Sequence, residues 1–552
     1  MHAAEPLSHF VDDYLGYLYE ACPTNATLDG VHLHDDLLED YRRTGIDTHL
    51  GALAGFARRL DAIPVDHLPV HEQVDHGIVM ANIRARMCEL EDIRTWERSP
   101  HLYGEVLATS LATQAIFTYA PEEDRARRVL SKLRQVPRLI QAARDNVTEP
   151  AAIFVKVGLD TWRGVRSFID ADLPRAFSTV DDLHLLADLA DASTEAGQAV
   201  GLYIDYLEND LRPRARGTFR LGTDRFERKL RLDEGIQVPA DRLLAIAMRE
   251  LAATQDEFRS VAGRINGGDP LEAWRKTRDA HPAPGTLIAT ARAQLQDLRT
   301  FLSRTPVVAL PDEDEVSVAA TPEFFRWSFA SMWTPGPFEP RSSRAMYYLT
   351  DADPSWTAER QAEHLRDFNT PTLWTISMHE VYPGHYLHYQ HLRKVSSKVR
   401  RSTLFAPASY VEGWAHYCEQ MMLEAGFGRG DHALKLGQLG EALVRLARFV
   451  VGIHLHTGEW SVEQGVRFFR EEAFIEEASA RREAERGTFD PTYLVYSAGK
   501  QMLLKLRHDW QQEQRGKTTL RAFHDAFLSQ GSAPFPALRR LMLQNAAGDV
   551  LE

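Results

Sequence analysis

The chain has 552 residues, of which 44% are hydrophobic and 26% are charged, a composition typical of globular proteins with large cores. Its 64 Lys and Arg residues stand against 78 Asp and Glu residues, so the formal net charge is −14. Such an acidic chain is unsuited to nucleic acid or an anionic membrane surface, and we expect neither partner.

The sequence also predicts where the protein resides. No apolar run of about eighteen residues is present, so no transmembrane helix is predicted. The first twenty residues lack the basic and apolar regions of a signal peptide. Three widely spaced cysteines, Cys22, Cys88 and Cys418, fit neither a disulfide framework nor a four-cysteine zinc site. These features predict a cytoplasmic protein with reduced thiols.

Most of the chain carries apolar residues at helical spacing. Residues 183–211 and 241–265 return an apolar side chain every three or four positions and then run into turn residues. Short irregular stretches are expected around 150–165 and 213–224. The predicted fold is mainly α, a large multi-helix body with a small β-sheet near the active-site cleft.

A change of composition divides the chain. Six prolines between residues 306 and 340 exclude a long helix there, and an acidic patch, PDEDE, lies among them. RAMYYLT, residues 344–350, reads as a β-strand, either an edge strand able to pair with an extended peptide or an internal strand. We therefore expect a helical body at 1–305, a proline-rich segment with a small sheet at 306–368, and a second helical region at 369–552, merged into one catalytic unit.

The segment at 368–392 contains HEVYPGH, with His379 and His385 six residues apart. Asn369 or Thr370 can cap a helix there. In metallopeptidases with two histidines four residues apart, both imidazoles face one metal and the intervening Glu is the general base. Six residues of an ideal helix leave the two side chains about 120° out of alignment. Pro383-Gly384 predicts a helix bulge that returns His385 to the metal side.

A third ligand is expected from another helix, residues 407–426. Glu412, His416 and Glu419 share one side of this helix, because they are spaced by four and three residues. The same residues allow a purely structural interpretation. Ser409 and Glu412 have capping-box spacing, in which Glu412 would bind the amide of Ser409.

HEVYPGH followed by EGWAHYCE resembles a bacterial family known as domain-of-unknown-function family 885. PTNATLDGVHLHDD (23–36), HTGEWSVEQGVRFFREEA (456–473) and PTYLVYSAGK (491–500) are similar to other blocks of that family. The resemblance implies a mostly helical zinc metallopeptidase, with a zincin-like site between two helices comparable to that of oligopeptidases and carboxypeptidases. It implies His379, His385 and Glu412 as zinc ligands and Glu380 as the base. The chain departs from the pattern at Tyr386, His388 and Gly452, where the family commonly has a histidine, a glutamine and an acid.

Five further residues have open roles. Tyr496 could donate to the oxyanion of a tetrahedral intermediate, or be an ordinary buried tyrosine. Lys500 and Arg448 could capture a substrate carboxylate, or simply be solvated. His416 or Glu419 would orient the metal ligands.

The expected function is hydrolysis of short peptides by one Zn²⁺ per chain. The ion leaves one position for water, and Glu380 takes the proton of that water as it attacks. Alternatives are a di-iron or di-manganese redox enzyme, a non-catalytic zinc-binding helical protein, or another hydrolytic or lyase reaction at the same site. The sequence predicts neither the cleavage position nor the oligomeric state.

Overall fold

The protein is described from a computed structural model that covers residues 5–266, 268–311, 316–322, 329–340 and 344–551. Residues 312–315 of the predicted acidic patch lie outside the described residues. The fold is mainly α with one small sheet, as predicted from the sequence. The helices before the sheet are α1 (Leu7–Ala21), α2 (Pro23–Asp29), α3 (Arg43–Asp61), α4 (Val70–Cys88), α5 (Thr95–Arg98), α6 (Pro100–Ile116), α7 (Glu122–Asn146), α8 (Ala152–Ser167), α9 (Leu173–Ala176), α10 (Leu183–Tyr206), α11 (Arg212–Arg214), α12 (Thr223–Lys229), α13 (Ala240–Asn266), α14 (Pro270–Arg278) and α15 (Leu287–Arg304).

The sheet and a second set of helices follow. The strands are β1 (Val316–Ala320), β2 (Ala330–Trp333) and β3 (Ala345–Leu349). The later helices are α16 (Ala358–Arg366), α17 (Thr370–Glu380), α18 (His385–Leu392), α19 (Lys398–Arg401), α20 (Ala408–Glu424), α21 (His432–Thr457), α22 (Val462–Glu472), α23 (Glu477–Phe489), α24 (Val495–Glu513), α25 (Leu520–Ser529) and α26 (Phe535–Met542). Short π-helical segments extend several helices, at Glu89–Ile93, Phe168–Asp172, Leu207–Leu211 and Leu230–Glu234.

Helical periodicity located the long helices well. The predicted helices at 183–211 and 241–265 correspond to α10, with its π-helical extension, and to α13. The expectation of irregular structure at 150–165 was wrong, because α8 occupies this stretch. Its buried residues Phe154, Val155, Leu159 and Trp162 follow helical spacing.

The three strands form one sheet in the order β1-β3-β2. The central strand β3 pairs parallel to β1 and antiparallel to β2. The prediction of RAMYYLT as an internal strand is therefore confirmed, and the edge-strand alternative is wrong. Tyr347 of β3 is fully buried, and its hydroxyl lies 3.3 Å from Oγ of Ser377 in α17. The sheet thus supports the helix that carries His379.

Two hydrophobic cores stabilise the molecule. The larger core joins α1, α3 and α4 to helices of the carboxy-terminal region, and the other is built from α6, α7, α8 and α10. A cavity of about 2010 Å³ has α6 and α8 on one wall and α17, α21 and α23 on another. The division of the chain at residues 305 and 368 stays a prediction.

No helix of the described residues is both long enough and apolar enough to cross a bilayer. The three cysteines are free, as predicted, with Cys88 and Cys418 buried and Cys22 partly buried.

Candidate metal centre

The HEVYPGH segment forms two helices joined by a tight turn. The side chain of Asn369 caps α17 by accepting a hydrogen bond from the amide of Thr372 at 3.1 Å, as predicted. Helix α17 ends at Glu380, and α18 starts at His385. The expected bulge within one continuous helix is therefore wrong.

The turn between these helices is shaped by Gly384. Its amide donates to the carbonyl of Met378 at 3.0 Å, so the chain folds back on the end of α17. A Cβ atom at position 384 would lie 1.7 Å from the carbonyl oxygen of His379, a distance that excludes any side chain. This close approach places His385, the next residue, beside His379.

Helix α20 supplies Glu412, and the capping-box interpretation of this residue is wrong. The amide of Ser409 donates to Oε2 of Glu234 at 2.8 Å instead. Glu234 belongs to the segment after α12 and is fixed beside the start of α20 by this bond. Because another carboxylate occupies the amide, the side chain of Glu412 is free to face the two histidines.

His379, His385 and Glu412 converge on one point. Oε2 of Glu412 lies 3.3 Å from Nε2 of His379 and 3.4 Å from Nε2 of His385. One donor atom from each residue lies within 4.8 Å of the other two. The two imidazole rings are perpendicular, with centroids 4.8 Å apart. All three side chains are largely buried, Glu412 being the most exposed at 24%.

The charges around this point are strongly coupled. Burial opposes the protonated form of His379, but contacts with Glu412 and Glu419 raise the pKa of His379 to about 9. Burial likewise opposes ionisation of Glu412, yet His385 and His379 hold the pKa of Glu412 well below its usual range. The cluster is therefore a site that stabilises positive charge.

A second set of buried polar groups contacts His379 at Nδ1, on the side of the ring away from Glu412. Nδ1 of His379 lies 2.8 Å from Oε1 of Glu419, while Nδ1 of His416 lies 3.0 Å from the other carboxylate oxygen. Arg445 of α21 contacts Oε1 of Glu419 at 3.1 Å and Oε2 of Glu441 at 2.8 Å. Glu419 is completely buried, and Arg445 lowers its pKa despite the desolvation. The carboxylate thus fixes the ring orientation that leaves Nε2 of His379 facing Glu412.

Arg445 and Glu441 were missed in the sequence. A signal was available, because Arg445 interrupts the apolar face of the long helix α21 and is 6% exposed. A buried arginine usually pairs with a carboxylate, but the sequence does not say which one.

Glu380 follows His379 in the chain, and Tyr496 of α24 lies against the ring of His379. Glu380 is the last residue of α17 and makes no hydrogen bond to any residue that the structure describes. The ring of Tyr496 stacks on that of His379, with centroids 6.4 Å apart. Its hydroxyl accepts a hydrogen bond from Arg486 at 3.1 Å, and burial raises its pKa despite the opposing charge of Arg486. Tyr496 is therefore protonated and able to donate.

Arg448 and Lys500 are not solvated residues. Arg448 lines the cavity, lies over the ring of Tyr496 at 4.9 Å, and makes two hydrogen bonds to Glu483 at 2.7 and 2.8 Å. Lys500 is buried close to Glu419, and burial lowers its pKa to about 8. A substrate carboxylate would have to compete with Glu483 for Arg448. Capture of a substrate carboxylate by Arg448 therefore stays a prediction.

The model of a family described as "Bacterial protein of unknown function (DUF885)" matches residues 23–542. The chain belongs to this family. No curated protein matches it.

Two solved structures have folds similar to that of this chain. One is described as a "putative lipoprotein of unknown function" from Shewanella oneidensis; it is 25% identical, has a TM-score of 0.81, and the match covers 98% of this chain and 100% of that one. The other is described as a "putative lipoprotein" from Colwellia psychrerythraea; it is 16% identical, has a TM-score of 0.80, and the match covers 98% of this chain and 99% of that one. The latter shows the fold alone.

The structure shows what surrounds Gly452, where the chain departs from the family pattern. A Cβ atom at position 452 would lie 2.9 Å from the ring of Tyr493, so an acid has no room there. Glu419 of α20, rather than a residue at position 452 of α21, supports His379.

Two observations indicate that His379, His385 and Glu412 are suited to bind a zinc ion. Oε2 of Glu412 is buried and has no hydrogen bond of good geometry, although two imidazole nitrogens face it. Two imidazoles and one carboxylate also form a donor set typical of catalytic zinc, with a fourth position left for water or substrate.

Proposed function

We propose that the protein is a zinc-dependent hydrolase that cleaves peptide bonds of short peptides, with one zinc ion per chain. The convergence of Nε2 of His379, Nε2 of His385 and Oε2 of Glu412 carries this proposal. Glu380 adjoins His379 in sequence and has no hydrogen-bond partner among the described residues, so its carboxylate is available for proton transfer.

Each residue then has a distinct task. A zinc ion bound by these residues would supply a Lewis acid that polarises a carbonyl and acidifies a water molecule. Glu380 takes the proton of the attacking water and returns it to the leaving amine. Tyr496 donates its hydroxyl hydrogen to the developing oxyanion while Arg486 holds that hydroxyl in place.

The cavity supports the choice of short peptides. Ile376 of α17, Tyr389 of α18 and Arg448 of α21 line it, and all three belong to helices around the cluster. A cavity of about 2010 Å³ accommodates an extended peptide of several residues, whereas a folded domain is larger. Substrates would therefore enter as flexible chains.

The donor set argues against a two-metal redox centre. Such centres usually take carboxylates from four helices. In the part of the chain that the structure describes, the one group of three candidate ligands contains a single carboxylate, and Glu419 is already occupied by His379, His416 and Arg445. A mononuclear hydrolytic site agrees better with this arrangement. Cytoplasmic location stays a prediction.

The experiment measures metal content and peptide cleavage for the untagged wild type, Glu380→Gln and Glu412→Ala. We expect about one zinc per chain in the wild type, and the same content in Glu380→Gln with at least about a thousandfold lower activity, because only the base is lost. Glu412→Ala should lose most of the zinc. Glu363→Gln, an exposed change on the neighbouring α16, is the control.

Four outcomes would contradict the proposal. Full activity in Glu380→Gln would exclude this residue as the base. A full equivalent of zinc in Glu412→Ala would exclude it as a ligand. A wild type without zinc, or with two irons per chain, would reject the zinc site itself. An intact zinc site that cleaves no member of a peptide library would identify a non-catalytic binding protein.

A further inference from the structure

Arg86 of α4 lines the same cavity in a part built by amino-terminal helices. Its neighbours on this wall include Tyr17, Cys22, Tyr41 and His49. Tyr17 and His49 are held by a hydrogen bond at 2.5 Å between the hydroxyl and Nδ1. The peptidase mechanism uses none of these residues.

The guanidinium of Arg86 lacks a carboxylate partner. Its Nε donates to Oδ1 of Asn82 at 3.1 Å, and one terminal nitrogen contacts Sγ of Cys22 at 3.5 Å. Across the described residues, no carboxylate oxygen comes within 4.0 Å of it. Burial raises the pKa of the Cys22 thiol, so the thiol is neutral and does not balance the arginine. The carboxyl of Glu39 is occupied by hydrogen bonds from Thr24.

Three other arginines of the cavity are paired with carboxylates, whereas Arg98 and Arg482, which also line it, donate to carbonyl or hydroxyl oxygens of the described residues. Arg448 binds Glu483, Arg486 binds Asp490, and Arg278 binds Asp367. A guanidinium is always charged, and withdrawing it from water without a counter-ion is costly. The guanidinium of Arg86 can therefore still pair with an anion, whereas Arg448, Arg486 and Arg278 are already paired with neighbouring carboxylates.

The length of the intervening chain sets an upper bound on the distance between this part of the cavity and the metal cluster. Asn82, which contacts Arg86, also donates to the carbonyl of Leu404 at 2.9 Å. Leu404 precedes the start of α20 by four residues, and Glu412 lies one helical turn farther on. Four extended residues and one turn place Leu404 within about 20 Å of Glu412.

A peptide of about six extended residues spans that distance. Tyr389 and Thr403 line the cavity along this route. Tyr389 lies one turn after His385, and Thr403 adjoins Leu404.

We propose that Arg86 binds a carboxylate of the substrate peptide, which resides in the cavity with another part at the metal cluster. The proposal rests on the proposed function. A carboxylate matches the planar fork of the guanidinium and would displace no existing ion pair. It can come from the carboxy-terminus of the peptide or from an acidic side chain, and the experiment separates these sources.

The experiment measures binding by calorimetry in zinc-loaded Glu380→Gln protein, which prevents turnover. Three probes are compared: hexa-alanine with a free carboxy-terminus, hexa-alanine amide, and the amide with its last residue changed to aspartate. We expect the free acid to bind at least about tenfold more tightly than the amide, because charge-assisted hydrogen bonds are lost in the amide. Tight binding of the aspartate amide would assign the site to acidic side chains as well.

Adding Arg86→Met should abolish this preference, leaving amide binding unchanged. Arg86→Lys should retain part of it, because the charge remains but the fork is lost. Arg84→Met, an exposed change two residues away on α4, is the matched control. In otherwise wild-type protein, Arg86→Met should raise KM for the free acid about tenfold while kcat is retained, since the contact is remote from the reacting bond.

Failure of this inference is distinguishable from failure of the proposed function. Equal binding of all three probes by the protein with Arg86 intact overturns the inference, whether or not Arg86→Met folds. Preservation of the preference in folded Arg86→Met also overturns it. If the preference depends on Arg86 but the wild type cleaves no peptide, the carboxylate site stands and the peptidase proposal fails.

Discussion

Glu419 contacts His379, His416 and Arg445 while being completely sequestered from solvent. Its stripe with Glu412 and His416 could be predicted from spacing on α20, because residues three and four apart share a helix face. The different roles of the two carboxylates, Glu412 facing the two histidines and Glu419 binding His379 from the other side of its ring, could not be predicted. The difference depends on Glu234 occupying the amide of Ser409 and on Arg445 approaching from α21, and neither long-range contact leaves a local signal.

At the scale of single residues, Glu419→Gln tests how the ring of His379 is oriented. The amide has nearly the same shape but no charge, so Arg445 loses its ion pair and Nδ1 of His379 loses a strong acceptor. We expect zinc affinity to fall about ten- to a hundredfold, the usual effect of removing such support. Competition with a zinc chelator measures this affinity.

The control is Glu424→Gln, at the last position of α20. Glu424 is bound by Gln420 and Arg507, away from the metal ligands. It should keep wild-type zinc affinity. Unchanged affinity in Glu419→Gln would mean that the ring is held by packing against Tyr496 and His385 rather than by the carboxylate.

Among the elements, the crossing of α20 and α24 positions both Glu412 and Tyr496. A Cβ atom at Gly413 would lie 2.7 Å from Cα of Gly499, and one at Gly499 would lie 2.0 Å from the carbonyl oxygen of Ser409. The two backbones therefore touch. The EGWA and SAGK motifs each contain one glycine of this contact, and no single motif could predict the pairing.

Gly413→Ala tests this crossing. The added methyl group meets backbone atoms that cannot rotate away, so the helices must separate. We expect a lower unfolding temperature together with reduced zinc affinity and activity, because Glu412 moves with its helix. Calorimetry and metal titration measure these effects.

Gly77→Ala, in the middle of α4, is the matched control. No atom lies within 4 Å of the added group, and alanine favours helix, so we expect about 0.5–1 kcal/mol of stabilisation. If Gly413→Ala behaved like Gly77→Ala, the close crossing would not govern the site.

For the molecule as a whole, helical periodicity predicted the fold class and the long helices, and proline content located the region of the sheet. It could not predict that β3 is central, since strand order depends on partners far away in sequence. Nor could it predict the cavity between the two cores, or that Arg86 and Arg448 would share its wall. Periodicity identifies which face of a helix is buried, but not which helix covers it.

Removal of metal should affect the stability of the entire fold. The proposed ligands come from α17, α18 and α20, and all three helices belong to the larger core. Zinc that binds only the native arrangement stabilises it by about 2.7 kcal/mol when its concentration is a hundred times its dissociation constant. We therefore expect a chelator to lower the unfolding temperature of the wild type, and readded zinc to restore it.

The matched variant is His385→Ala, whose unfolding temperature should be insensitive to both chelator and zinc. A chelator effect of equal size in that variant would place the stabilising ion elsewhere. Because α18 begins at His385 directly after the turn at Gly384, the wild type should also show the largest chelator-induced loss of hydrogen-exchange protection at residues 379–392. If the chelator reduced hydrogen-exchange protection evenly over the chain, the stability effect would not depend on this turn. It would then not depend on the geometry that brings the two histidines together either.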